Sequence, residues 1–538
     1  VGLEVSLRTT VRRFDPYGAR LLTVVLVGVA LWCFAANLRA HRCAIVDDAF
    51  ISFRFATNVA HGAGFVWNPG ESPVEGASNL LLVLVLAVLD RFGVSIVDAA
   101  RILAAVSSVG CAALIAWLAR PVARRAALLT GAVLLVYPAT AILAMEGLET
   151  TLYALTLTAL VAALVRHDAR PSRARSATIV GCYLLVALSR PEAPLVGGVM
   201  VGVWAFARVS GGSDRAERAG VVPAVAGAFA CAVLVAAWKY VYFGTLLSPP
   251  YWVKHAAGGA LPGAAYDLAF LLAYAPVVLL AVVRIFQGSL DAVARAVAVT
   301  ILVQLLVFLR VAPVMAAEGR YLFPTLPLIL LLAAPTLERL LTGIPSPSMA
   351  GTACLGALVL LAPQNLNPPG TTFIEAGRLT MRGLAPSCTD TWTGRDRQIG
   401  QALRDAGGAG LRVVAEDVGA IGFLSDAAVL DPVGLTDMAI ARADTLREFT
   451  DRVFGFGARI MVFRGPAEGA TAPDAGGGHG ALGRFGKAAI FADPRFASFE
   501  LLGSGPAGDP HYRWYFWASR DFPGAARLLD YADERVAW

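Results

Sequence analysis

A mostly α-helical, polytopic membrane protein with a C-terminal α/β domain is the fold class that three features of this 538-residue sequence predict. The composition is 57% hydrophobic and only 16% charged, against about 45–50% and about 25% for an average soluble domain. Apolar runs long enough to cross about 30 Å of hydrocarbon recur up to Pro363. Beyond Pro363 the hydropathy falls, and short strand-like segments alternate with turns. The same figures exclude a disordered, collagen-like or coiled-coil chain, and the length excludes a small disulfide scaffold.

The runs fall near residues 21–38, 102–119, 126–144, 148–165, 177–189, 194–209, 221–242, 267–283, 296–309, 322–341 and 349–362, giving about 11 transmembrane helices in a membrane domain of residues 1–363. One further run, Asn79 to Leu89, covers only eleven residues. That length suits an interfacial or re-entrant helix within the first loop, residues 39–101. Charge decides the topology, because Lys and Arg collect on the cytoplasmic side. If 79–89 does not cross, 17 of the 27 basic residues of the membrane domain lie inside, among them Arg124, Arg125, Arg173 and Arg175; if it crosses, 11 do. The non-crossing arrangement makes the N-terminus cytoplasmic in a multi-pass plasma-membrane protein. It places the first loop and residues 364–538 outside. Arg12 and Arg13 ahead of the first run have the look of a signal peptide, but the run is long for one, and it reads as a signal anchor.

The net charge of +6 does not point to nucleic acid, because residues 1–363 carry 27 basic against 18 acidic residues and residues 364–538 carry 18 against 21. The basic excess is a cytoplasmic fringe, and the tail has no basic stripe on which to bind phosphate backbones. The seven cysteines show no metal-ligand spacing. Only Cys43 and Cys388 are clearly on the outer side, where a disulfide joining the first loop to the tail is one option.

In the first outer loop, residues 49–60 have apolar residues at helical spacing with Arg54 and Asn58 on one polar side, which predicts an amphipathic helix at the membrane surface. Asp47 and Asp48 stand at its N-terminal end, where unpaired amides favour carboxylates. A cap needs one Asp. A second adjacent carboxylate adds desolvation and like-charge repulsion, which can poise one of the two as a base. The other outward ends are polar for their length: Glu146-Gly-Leu-Glu149, Ser189-Arg-Pro-Glu192, Lys254-His255 and Glu318-Gly-Arg-Tyr321. Snorkelling accounts for any one of these ends. Charges gathered at four ends on one side read better as a site.

The run Asp47-Asp48-Ala-Phe-Ile-Ser through Asn58, Gly62, Gly64, Asn68-Pro69-Gly70 and Glu75-Gly76 resembles the first-loop signature of bacterial GT-C glycosyltransferases, in particular the mycobacterial-type terminal β-(1→2) arabinofuranosyltransferase family. Gly147-Leu-Glu-Thr150, Arg190-Pro-Glu192, Gly319-Arg-Tyr-Leu-Phe-Pro324, Val418-Gly-Ala-Ile-Gly-Phe423 and Asp431-Pro-Val-Gly-Leu-Thr-Asp437 follow in the order seen in that family. The likeness covers most of residues 40–440, and none of its motifs is specific for a sugar. Where relatives often carry a Thr-Asn/Ser-Pro step after the Glu-Gly, this chain has Ala77-Ser78-Asn79-Leu80, which leaves the next helix less kinked.

The resemblance implies a GT-C fold and a membrane glycosyltransferase that takes a sugar, arabinofuranose being one option, from a polyprenyl-phosphate donor. The acceptor would be an extracytoplasmic cell-envelope glycan, lipid or protein. Inverting transfer needs a base on the acceptor hydroxyl and positive charge on the leaving phosphate. The base is assigned to Asp47, with Asp48 orienting it or positioning the acceptor. Arg320, then Arg190 and Lys254, are the phosphate candidates, since Arg stays protonated near a low-dielectric surface. Glu149 and Glu192 are candidates for sugar hydroxyls or for holding those cations, and Tyr321 and Trp252 for stacking on a ring. Arg54, Asn58, Glu75 and His255 complete the expected binding set. Acidic residues could serve a divalent metal, but no spacing demands one. The alternative class is a transporter or flippase of lipid-linked sugars, which should show inverted repeats and charges within its spans. A third is a non-catalytic assembly partner with a sugar-binding tail.

In the tail, residues 396–406 read as a helix and Leu411–Ala415, Ala427–Leu430, Arg459–Phe463, Ser498–Leu502 and Tyr512–Ser519 as strands. Gly419-Ala-Ile-Gly422 reads as a turn and Thr471–Gly486 as a mobile loop. Alternation through Trp514, Tyr515, Phe516 and Trp517 predicts that half face a core. The other half would line a carbohydrate surface or pack on the membrane half.

Overall fold

A computed structural model describes residues 16–211, 215–256, 260–288, 290–309, 317–343, 388, 391–466, 480–508, 511–522, 528 and 534–535. Up to residue 343 the chain forms α1 (Pro16–Ala40), α2 (Asp47–Ala60), α3 (Leu80–Arg91), α4 (Ile96–Ala119), α5 (Ala127–Val136), α6 (Pro138–Met145), α7 (Thr150–Ala169), α8 (Arg173–Ala187), α9 (Ala193–Ser210), α10 (Arg215–Phe243), α11 (Pro249–Ala256), α12 (Ala260–Ala273), α13 (Ala275–Phe286), α14 (Ala292–Phe308) and α15 (Leu326–Thr342). Each apolar run read from the sequence falls on one of these helices or helix pairs, except 349–362, which lies outside the described residues.

Among the described residues, six helices are long and apolar enough to cross a membrane, or up to eight if α5–α6 and α12–α13, bent by 55° and 91°, are each one span, against the expectation of about eleven for the whole membrane domain. Both breaks have a proline in the first turn of the second helix, Pro138 and Pro276. Proline lacks the donor that would continue the ladder and pushes the residue before it out of helical conformation. The runs at α8 and α14 form helices of only 15 and 17 residues. Helix α3 has 12 residues, about 18 Å at 1.5 Å per residue, well short of a crossing. The bundle packs around one apolar core that includes Leu129, Tyr137, Leu157, Trp204, Phe270 and Leu330.

The tail begins with α16 (Trp392–Ala406) and α17 (Val418–Ser425), set against a sheet of β1 (Arg412–Ala415), β2 (Ala428–Leu430), β3 (Ile460–Pro466), β4 (Phe499–Pro506), β5 (Tyr512–Ser519) and β6 (Glu534–Arg535). The order is β2-β1-β3-β5-β4-β6, with β2, β1 and β3 parallel and the rest antiparallel. The expected helix and strands are thus all present. Two local expectations fail: Gly419–Gly422 is helical within α17, and Gly480–Phe485 is a short helix, while 471–479 lie outside the described residues.

The four alternating aromatics are all buried, because both faces of the sheet are covered. Tyr515 and Trp517 join a core internal to the tail. Trp514 and Phe516 join a second core that also contains Phe50, Phe53 and Phe55 of α2, Leu82 and Leu86 of α3, Leu403 of α16 and Val413 and Val429 of the sheet. One apolar core is therefore shared by the first loop and the tail, and no half of the β5 aromatics is left for a carbohydrate surface. A disulfide, Cys43 to Cys388, closes the same junction with its Cα atoms 5.1 Å apart.

Candidate active site

Helix α2 begins with the two adjacent carboxylates, and they face different partners. Asp47 is buried, and its Oδ2 and Oδ1 accept the amides of Gly419 (2.8 Å) and Ala420 (2.6 Å) in the first turn of α17. Asp48 lines a cavity of about 390 Å³, counting its open mouth. Successive helical side chains diverge by about 100°, so a carboxylate turned toward α17 leaves the next one turned elsewhere.

The cavity wall is assembled from six parts of the sequence: Asp48, Ile51 and Ser52 of α2; Gly76, Ala77, Ser78 and Asn79; Leu148 and Glu149 at the α6–α7 corner; Pro250 and Lys254 of α11; Arg320; and Leu435. Across the floor, Ser52 Oγ donates to Asn79 Oδ1 (3.0 Å), and Asn79 Nδ2 donates to Glu149 Oε2 (2.8 Å). Arg190 is clamped by two carboxylates, pairing with Glu149 Oε1 and, through Nε at 2.6 Å, with Glu192 Oε1. Glu146 is buried beside this group, and among the described residues its Oε2 has no hydrogen bond.

Tyr321 is the hub of the basic side. Its ring, stacked on Phe308 with centroids 5.1 Å apart, has Arg190 Cζ, Lys254 Nζ and Arg320 Cζ at 5.0, 5.2 and 5.4 Å from its centroid. Lys254 Nζ also donates to the Tyr321 hydroxyl at 3.1 Å. An aromatic face attracts cations, and this one holds three together where mutual repulsion would otherwise spread them. Lys254 and Arg320 reach the wall of the same cavity as Asp48.

Three of the expected binding residues stand elsewhere, and a fourth is not described. Arg54 is buried, not on a wet polar face: Nε donates to the Trp67 carbonyl (2.8 Å), and the guanidinium also reaches Asn68 Oδ1 (2.9 Å) and the carbonyls of Ala427 (2.8 Å) and Gly422. Asn58 Nδ2 donates to the Val66 carbonyl at 2.8 Å and shapes the loop. Glu75 pairs with Lys239 at 2.9 Å. The side chain of His255 lies outside the described residues.

The tail motif Asp431–Asp437 also has a structural role. Asp431 accepts the amides of Val433 (2.8 Å), Leu435 (2.5 Å) and Thr436 (3.0 Å), shaping the turn that delivers Leu435 to the cavity. Ser52, Asn79 and Leu435 were not among the expected site residues. Asn79 lies in the stretch Ala77-Ser78-Asn79-Leu80 where the resembled family often has a Thr-Asn/Ser-Pro step; Leu435 carries no such signal. Among the described residues, no group of three or more His, Cys, Asp or Glu is placed to hold a metal ion.

Residues 388–512 match a family described as Domain of unknown function (DUF8728), and no curated protein matches the chain in sequence. ArnT from Cupriavidus metallidurans bound to undecaprenyl phosphate superposes over 93% of this chain and 98% of its own, at 14% identity and a TM-score of 0.57. The Archaeoglobus fulgidus oligosaccharyltransferase tethered with an acceptor peptide superposes over 82% of this chain and 69% of its own, at 11% identity and a TM-score of 0.52. The arabinofuranosyltransferase AftD from Mycobacteria covers 93% of this chain and 40% of its own, at 16% identity and a TM-score of 0.47, too distant to compare in detail. The fold is GT-C-like, a multi-span helical membrane protein with a C-terminal mixed α/β domain.

Proposed function

We propose that this chain is a membrane glycosyltransferase that transfers a sugar from a polyprenyl-phosphate donor to an extracytoplasmic acceptor with inversion. The observation that carries the reading is a single cavity lined by a carboxylate, Asp48, together with two cations, Lys254 and Arg320. A base for an acceptor hydroxyl and cations for a departing phosphate are the two things such a transfer requires. The undecaprenyl phosphate in the similarly folded ArnT supports a lipid-phosphate ligand. The disulfide supports an outward-facing site, because such bonds persist in oxidising compartments and this one lies where α2 meets the tail.

The two adjacent carboxylates exchange their expected roles. Both Asp47 oxygens are taken by amides, so Asp48 is the general base. Lys254 and Arg320 receive the phosphate. Arg190, already neutralised by Glu149 and Glu192, holds the Glu149 corner. Asn79 and Glu149 offer hydrogen bonds to sugar hydroxyls. The test incubates the purified protein with polyprenyl-phosphate arabinose or mannose and candidate acceptors. Asp48→Asn should lower transfer by about 10²–10⁴-fold, the usual contribution of a positioned base. Undiminished transfer by that variant would sink the assignment. No transfer from any lipid donor by the wild type would favour a flippase.

A further inference from the structure

Asp47 and the tail helix α17 have no chemical part in the reaction just described, yet they form a close junction. The Asp47 carboxylate covers the amide end of α17, where the helix dipole is positive. Seven residues on, Arg54 covers the other end, reaching the carbonyls of Gly422 and Ala427. Both ends of one short helix are therefore met by hydrogen-bonding side chains of α2. The approach is so close that a Cβ on Gly419 would lie 2.0 Å from the Asp47 carbonyl oxygen, so only glycine fits.

A third grip reinforces the other two. Asn68 of the first loop pairs with the outer edge of strand β2, accepting the Val429 amide (2.9 Å) and donating to its carbonyl (3.1 Å), and Trp67 Nε1 donates to the same carbonyl (2.8 Å). An unpaired strand edge seeks a partner, and here the first loop supplies it with side chains.

We infer that α17 is the positioning element of the active site: by holding Asp47 it fixes the first turn of α2 and so aims Asp48 into the cavity. Asp47, Arg54 and Gly419 are positioning residues, and the domain of unknown function acts by presenting α17. This rests on Asp48 being the base. A tethered base must sit within about 3 Å of its proton, and small displacements are costly. A helix end left free frays within its first turn. Asp48 lies in that turn, and α17 is what keeps it from fraying.

The test compares Asp47→Ala, Asp47→Asn and Gly419→Ala with wild type in the full-length protein, measuring kcat and KM for the polyprenyl-phosphate donor. Asp47→Ala and Gly419→Ala should lower kcat at least tenfold while KM changes less than twofold. Asp47→Asn, which keeps one acceptor oxygen, should retain several times the kcat of Asp47→Ala. Equal loss in both Asp47 variants with full activity in Gly419→Ala would make Asp47 a chemical group and overturn the proposal, as would wild-type kcat in Asp47→Ala and Gly419→Ala. A second readout needs no turnover. The alkylation rate at position 48 in Asp48→Cys, followed by mass spectrometry, should change severalfold when Gly419→Ala is added. An unchanged rate overturns the positioning role even if no donor proves active, whereas a changed rate without wild-type transfer would fault only the enzymatic reading.

Discussion

Asp47 and Asp48 are one peptide bond apart, yet the cavity receives one and α17 the other. Sequence alone marks the pair as unusual, since a cap needs a single carboxylate. It does not separate their roles, because the contact that distinguishes them is made to residues 372 and 373 positions later. The same contact sets a pH dependence. Burial, and then the nearby Asp417 charge, push the Asp47 carboxyl from 3.8 up to about 8, against the pull of the two amides and with a smaller push from Asp48. A carboxyl raised in the folded state holds its proton more tightly there than in the unfolded chain. Its contribution is complete below the ordinary value and is lost as pH rises through the folded one. The melting temperature of the detergent-solubilised protein should therefore fall between about pH 4 and about pH 8 by an amount that Asp47→Asn, which cannot ionise, removes. Parallel melting curves for the two proteins across that range would contradict it.

At the scale of elements, helices with strong periodicity were legible and their surroundings were not. The apolar spacing of residues 49–60 gives α2 correctly, but not that its polar side, which carries Arg54, is buried. Gly419-Ala-Ile-Gly422 reads as a turn in sequence but is helical, for a related reason. Two glycines in four residues argue against a helix by propensity, and only the partner backbone explains why glycine is required there. The membrane helices use the same device. A Cβ on Gly131 of α5 would lie 2.4 Å from the Ala112 carbonyl oxygen of α4, so these helices pack backbone against backbone, as small residues allow in membranes. Gly131→Val should destabilise the bundle by about 1–3 kcal/mol, the usual cost of overpacking, read as an earlier loss of helical signal on heating in detergent. An unaltered transition would mean that the two helices separate without cost.

For the whole molecule, the scarcity of charge proved informative once located. The outward corners expected to gather charge do converge, with Asp48, Glu149, Lys254 and Arg320 on one cavity, whereas Arg54, Asn58 and Glu75 were drawn into loop and domain packing. Orientation has its own test: a cysteine at Ser172, at the start of α8, should be inaccessible to a membrane-impermeant label added from outside, and ready labelling would reverse the topology. Among the described residues the count falls below the number of apolar runs because α8 and α14 are shorter than a full crossing, and the proline breaks in α5–α6 and α12–α13 lower it further if those pairs are not single spans. The shared core has a consequence for how the protein is divided. Residues 388–512 are recognisable as a unit by sequence, but the core on one face of their sheet, begun by α16 and α17, is completed by the phenylalanines of α2 and the leucines of α3. Expressed alone, the tail would expose that face and self-associate, since large bare apolar patches do. The unit that can be recognised is thus smaller than the unit that can fold, and a domain cut at its sequence boundary would leave part of its own interior behind in the membrane half.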